Sequence, residues 1–220
     1  LAALAGLWLA GRLLMACAGE SLAVVAAVID VAFLPAAAVA LGRVLVAAKS
    51  HRNYFVLVLL SLLTLCNLVF HLARFGVLAL DPLRAIWAAL ALVTMLETAI
   101  GGRVIPMFTA SALRGVKQWQ HARLNQAAIA LTGAALLFWV LDLPLLAAPL
   151  AFAASLAQFV RSAGWNPWAT RRTPLLWILH LGHLWIPTGL LLLALAQWGW
   201  VPRSAAVHAL TIGAIGGLII

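Results

Sequence analysis

The sequence predicts an all-α fold, a polytopic transmembrane bundle with about eight helical segments in 220 residues. Three observations carry this. First, 66% of residues are hydrophobic and only 9% charged, with a mean hydropathy of +1.11. Soluble domains hold roughly 45–50% apolar and about 25% charged residues, so the apolar excess has to face lipid. Second, apolar runs of about 20 residues recur, the length a helix needs to cross the hydrocarbon. Third, these runs do not alternate apolar and polar residues as membrane strands do.

The segments are expected at about 1–18, 21–47, 54–75, 85–112, 124–142, 145–162, 174–198 and 204–220. Asp81-Pro82, Asp142-Leu143-Pro144 and Asn166-Pro167 punctuate the connections. The fifth and sixth segments are joined so closely that they predict a helical hairpin. No internal repeat and no soluble domain stands out, so residues 1–220 read as one helical domain. The chain begins without Met and ends inside an apolar run, which reads as a piece of a longer protein.

Charge sets the orientation. The net charge is +9, from 14 Lys and Arg against 5 acids. In a soluble protein this would suggest nucleic acid, but here the basic residues separate apolar runs and act as topology signals, so no nucleic-acid partner is expected. Arg43, Lys49 and Arg52, then Arg114, Lys117 and Arg123, then Arg161, Arg171 and Arg172 fall on one side if segments alternate. Arg74, Arg84 and Arg203 fall on the other, with Glu20, Asp81 and Asp142. The first side is therefore cytoplasmic. Trp165, Trp168, Trp198 and Trp200 read as interfacial residues near segment ends, and His51 and His121 as solvated loop residues. Cys17 and Cys66 form no disulfide framework and no CxxC pair, and read as small buried residues.

Ionisable side chains in hydrocarbon cost roughly 2.5–3.5 kcal/mol each on insertion scales, so they mark candidate sites. His180 and His183 share one face of the seventh segment at i, i+3. Imidazole binds haem iron, copper or zinc through a neutral nitrogen, and an interhelical hydrogen-bonding pair is the alternative. His208 opens the eighth segment, where Gly213 and Gly217 permit close helix approach. It is a second candidate haem or metal ligand. In the third segment Thr64, Asn67, His71 and Arg74 form a polar stripe facing the bundle. His71 with Arg74 reads either as a haem ligand beside a propionate partner or as a hydrogen-bonding His beside a snorkelling Arg. In the fourth segment Glu97 lies near mid-membrane, and Gly101-Gly102-Arg103 before Pro106 suggests a locally broken helix. Arg103 is either a carboxylate or propionate partner or an ordinary topology charge. Asp30 and Arg12 are expected to pair between neighbouring helices. No Walker, dinucleotide, HExxH or GxSxG pattern is present, which argues against soluble-type nucleotide or hydrolase chemistry.

Trp8-Leu-Ala-Gly-Arg12, Gly101-Gly-Arg-Val-Ile-Pro-Met-Phe-Thr109, Leu179-His-Leu-Gly-His-Leu-Trp185 and His208-Ala-Leu-Thr-Ile-Gly-Ala-Ile-Gly216 together resemble the NnrS family. The Gly-Gly-Arg-Val-Ile-Pro and His-Ala-Leu-Thr-Ile-Gly blocks are the most specific parts. The resemblance implies a multi-pass protein of the bacterial inner membrane with about twelve membrane helices. Two of these helices would precede position 1, and others would follow Ile220. It also implies haem b and copper as cofactors, nitric oxide as the small-molecule ligand, and a link to nitric oxide stress and denitrification. On the matched motifs His180, His208 and Arg103 carry over as site residues. His183 stands where the family more often has an aromatic residue. The resemblance names no reaction. A transporter or chaperone for a metal or haem is the alternative, with the same histidines as transient ligands and the broken helix as part of a substrate path.

Overall fold

A computed structural model gives a chain built of helices, with no strand among the described residues. The structure describes residues 1–17 and 19–219, with the side chains of Arg52 and Ile219 outside the description. The expected segment ends at 18 and 220 lie outside the described residues. The main helices are α1 (Ala2–Cys17), α2 (Ala23–Ala47), α3 (Phe55–Arg74), α4 (Pro82–Ala112), α5 (Ala122–Val140), α6 (Pro144–Gly164) and α7 (Pro174–Gln197). A final run follows: α8 (Arg203–His208), a π-helical stretch Ala209–Ile215, and α9 (Gly216–Ile219). These runs match the expected segments closely.

Six runs are long and apolar enough to cross a membrane: Glu20–Ala47, Phe55–Arg74, Pro82–Ala112, Ala122–Val140, Pro144–Gly164 and Pro174–Gln197. The first and last runs differ for separate reasons. Helix α1 has 16 residues, and at about 1.5 Å rise per residue it falls short of the roughly 30 Å hydrocarbon core. The last run is split among α8 with 6 residues, the π-stretch with 7 and α9 with 4, none of which reaches that length.

The chain forms two compact units, Leu1–Leu92 and Val93–Ile220. In the first, α1 packs on α2 and α2 on α3. Gly11 sets the α1–α2 approach, since a Cβ there would lie 3.3 Å from the Asp30 backbone. In the second, α5 packs on α6, α6 on α7, and α7 on the final run. The expected hairpin is present: the α5–α6 turn places Asp142 at φ 60, and Pro144 opens α6 where a missing N–H costs nothing. Its core is a seam of small residues. Ala147, Ala151 and Ala154 on α6 and Ala128 and Ala135 on α5 are wholly buried, so the backbones approach closely, as membrane helices do when small side chains line their contact.

The expected break in α4 is absent. The helix runs unbroken through Gly101, Gly102 and Pro106. The two glycines have another use, which the site makes plain.

Candidate functional site

Within the second unit, the glycine pair of α4 faces two polar side chains. A Cβ on Gly101 would stand 3.0 Å from Nδ1 of His183. A Cβ on Gly102 would occupy the place of the Arg161 guanidinium. The glycines are therefore seats rather than hinges: each gives its space to a side chain from another helix.

Arg161, expected only as one of the charges that set topology, is a core residue. It lies in the last turn of α6, within the expected segment, and is only 3% exposed. Its position at the end of an apolar run made it look like a topology charge. The signal that could have found it is the spacing Gln158, Arg161, Trp165, one helical face carrying an amide, a cation and an indole. Nη1 of Arg161 donates to the Thr98 carbonyl at 3.3 Å and to Oε1 of Gln158 at 3.2 Å. Gln158 in turn donates through Nε2 to Oγ1 of Thr132 at 3.0 Å. The guanidinium carbon lies 5.3 Å from the centre of the Trp165 ring, a cation–π contact. Nε of Arg161 has no hydrogen-bond partner. Trp165, expected at the interface, is 1% exposed; it is a core residue because Arg161 and His183 pack on it. Trp168, Trp198 and Trp200 are exposed, as expected.

The two histidines of α7 are both buried, His180 at 2% and His183 at 0% exposure. They share Trp165, with ring centroids 6.3 and 4.8 Å away. Their bonding differs. Nε2 of His180 is 2.9 Å from Oγ1 of Thr109, and that hydroxyl donates to the Ile105 carbonyl. With its one proton so used, Thr109 accepts from His180, and Nε2 carries the hydrogen. Both ring nitrogens of His183 lack a partner.

His208 is arranged in the opposite way. It is exposed, and Nδ1 is 2.7 Å from the Ser204 carbonyl. A carbonyl only accepts, so Nδ1 bears the proton and Nε2 holds the lone pair. This second-sphere arrangement is typical of ligating histidine. His208 lines an open groove of about 670 Å³ with Trp185, Ala205, Ala209, Ile212 and Gly216. The groove is apolar, and five of its lining residues, Ala205, Ala209, Gly213, Gly216 and Gly217, are small. Gly217 and Gly182 bring α9 and α7 together, since a Cβ on Gly182 would lie 2.7 Å from the Gly217 carbonyl oxygen. The π-helical stretch begins directly after His208, and such bulges are frequent at functional sites.

Arg103 is exposed and lies on a different cavity, of about 540 Å³, with Arg161 and Gln118. Glu97 is half-buried, and its Oε2 has no partner.

In the first unit the expected Arg12–Asp30 pair is present. Asp30 is 6% exposed. Its Oδ2 accepts from Nδ2 of Asn67 at 3.0 Å and meets Nε2 of His71 at 3.2 Å. His71 is therefore tied to a carboxylate, and only its Nδ1 lacks a partner. Arg74 is exposed at the end of α3, and His51 and His121 are exposed as well. Cys66 is half-buried, but Cys17 is exposed, against the expectation that both are buried. An outward Cys is tolerated because a thiol behaves as a small apolar group and lipid accepts it.

No three His, Cys, Asp or Glu side chains gather as a metal cage among the described residues. The structure thus brings His180 and His183 to one buried ring, and sets His208 in its own groove.

These features define a class: a polytopic helical membrane protein with buried ionisable groups and one histidine presented on an apolar groove. The family model described as NnrS protein matches residues 1–220, and the chain belongs to the NnrS family, membrane proteins of the nitric oxide response. No curated protein and no solved structure matches the chain.

Proposed function

We propose that this chain binds haem b in the groove beside His208, within the bacterial cytoplasmic membrane, and serves resistance to nitric oxide during denitrification. The observation that carries this reading is the His208 geometry. The Nδ1–H···O=C bond to Ser204 at 2.7 Å holds the ring and leaves Nε2 free on an apolar groove of about 670 Å³. Haem, when bound, supplies an iron with an open position for a diatomic ligand. His208 would hold the haem, and Ala205, Ala209 and Gly216 would give it room as small residues of the same groove. Nitric oxide is small and enters lipid, so a groove on the helix surface meets it there.

His180 is less suited to iron, because its Nε2 is engaged with Thr109. His183 is suited by its unpartnered nitrogens but is wholly enclosed. Arg103 and Arg161 share a separate cavity, so a propionate at the His208 groove does not call on them. Copper finds no three-ligand cage among the described residues, and the proposal is confined to haem. The transporter reading loses the broken helix that favoured it, since α4 is continuous.

The test is a reduced-minus-oxidised optical spectrum of the protein purified in detergent from its native membrane, beside His208→Ala and His180→Ala. The expected result is a b-type haem band that His208→Ala abolishes and His180→Ala retains. A band unchanged by His208→Ala, or a folded protein without haem, refutes the assignment.

A further inference from the structure

We propose that the cavity shared by Arg103 and Arg161 binds a phosphate group, from an anionic lipid headgroup or from free phosphate. The argument starts from an unbalanced charge. Buried cations are normally paired, because desolvation penalises a lone ion. Arg161 is 3% exposed, yet every group it meets is neutral: the Thr98 carbonyl, the Gln158 amide and the Trp165 ring. The second unit has two acids, Glu97 and Asp142. Glu97 forms no salt bridge with Arg161 among the described residues. Asp142 precedes the other end of α6, about 25 Å from Arg161 at about 1.5 Å per residue.

The cavity is built to receive what the chain does not supply. It measures about 540 Å³ and is lined by both arginines, by Gln118, Gln120 and Asn125, and by no acid. Gly102 admits the Arg161 guanidinium to this wall. The 113–121 connection is fastened over it: the Trp119 N–H donates to the Gly164 carbonyl at 2.7 Å, and Nε2 of Gln118 donates to the Pro106 carbonyl at 3.0 Å. Guanidinium forks match phosphate oxygens. By the charge bias this end of the unit is cytoplasmic, with Arg114, Lys117 and Arg123 close by in sequence. Basic pockets between transmembrane helices on that side take phospholipid headgroups. The cavity shares no lining residue with the His208 groove, so the two proposals stand or fall separately.

The experiment uses the full chain, purified and depleted of lipid by detergent exchange. Its unfolding midpoint is followed as inorganic phosphate, phosphatidylglycerol or phosphatidylcholine is added. The expected result is a saturable rise with phosphate or phosphatidylglycerol. Apparent affinity should fall about tenfold in Arg103→Gln, the loss of one charge-assisted hydrogen bond. Arg114→Gln, which lies off the cavity wall, should leave it unchanged. A response to inorganic phosphate identifies a free anion as the occupant; a response to phosphatidylglycerol alone identifies a lipid. No saturable rise, an equal rise with phosphatidylcholine, or an unaltered response in Arg103→Gln overturns the proposal.

Discussion

Asp30 in the first unit and Arg161 in the second are both charged, both nearly inaccessible, and treated in opposite ways. Asp30 gathers three donors on three residues, Arg12, Asn67 and His71. Its charge is answered within its own unit. Arg161 gathers a carbonyl, an amide oxygen and a ring face, and no acid. The first arrangement is a structural tie between helices, and the second leaves charge for something else to answer. A buried ion thus points to a ligand only after its counter-charge has been looked for.

The largest expected effect breaks the second arrangement. Gly102→Val fills the seat of the Arg161 guanidinium and should destabilise the protein by about 3–5 kcal/mol, the cost of stranding a buried charge. Thermal unfolding in detergent measures it, with Gly6→Val, which meets nothing within 4 Å, as the comparison. Equal losses in the two variants would mean that Arg161 relocates freely. Next comes Asp30→Asn, expected to cost about 1–3 kcal/mol; the figure is reduced because Arg12 is half-exposed and its pairing is screened. A double-mutant cycle with Arg12→Gln sharpens this. A coupling near zero would show that Asn67 and His71 alone hold Asp30. The smallest effect concerns α7. Thr109→Val removes the acceptor of His180 and should cost about 1 kcal/mol, the worth of one hydrogen bond, with the haem spectrum unaltered. Loss of the spectrum in that variant would return the ligand role to His180.

The helices were legible because lipid imposes a length and a polarity that each run must satisfy alone. The Arg12–Asp30 pair was legible for a related reason: two opposite charges in adjacent apolar runs have few other partners. Arg161 was not, because sequence position gives depth along a helix but not which side faces a neighbour. Gly101-Gly102 followed by Arg103 and Pro106 suggests a break in α4 from sequence alone; only the packed helices show that His183 and Arg161 take up the missing side chains. His180 and His208 looked alike in sequence, and their difference rests on one acceptor each, Thr109 from 71 residues away and Ser204 from one turn away. The second was within reach of a local reading, and the first was not.

The π-helical stretch after His208 gives this part of the chain a one-sided tolerance of changes in length. Each added or lost residue turns a helix by about 100°. Deleting one residue between Ala209 and Ile215 has an outlet: a π-turn, bonded i→i+5, holds about one residue more than an α-turn, so the run would relax to ordinary α-helix with its two ends nearly in phase. Gly217 would still face Gly182. A further inserted residue has no such outlet and would swing Gly217 away from Gly182. In this segment phase, more than composition, is the heritable quantity, and the π-stretch is a spare residue that the helix can lose but not gain.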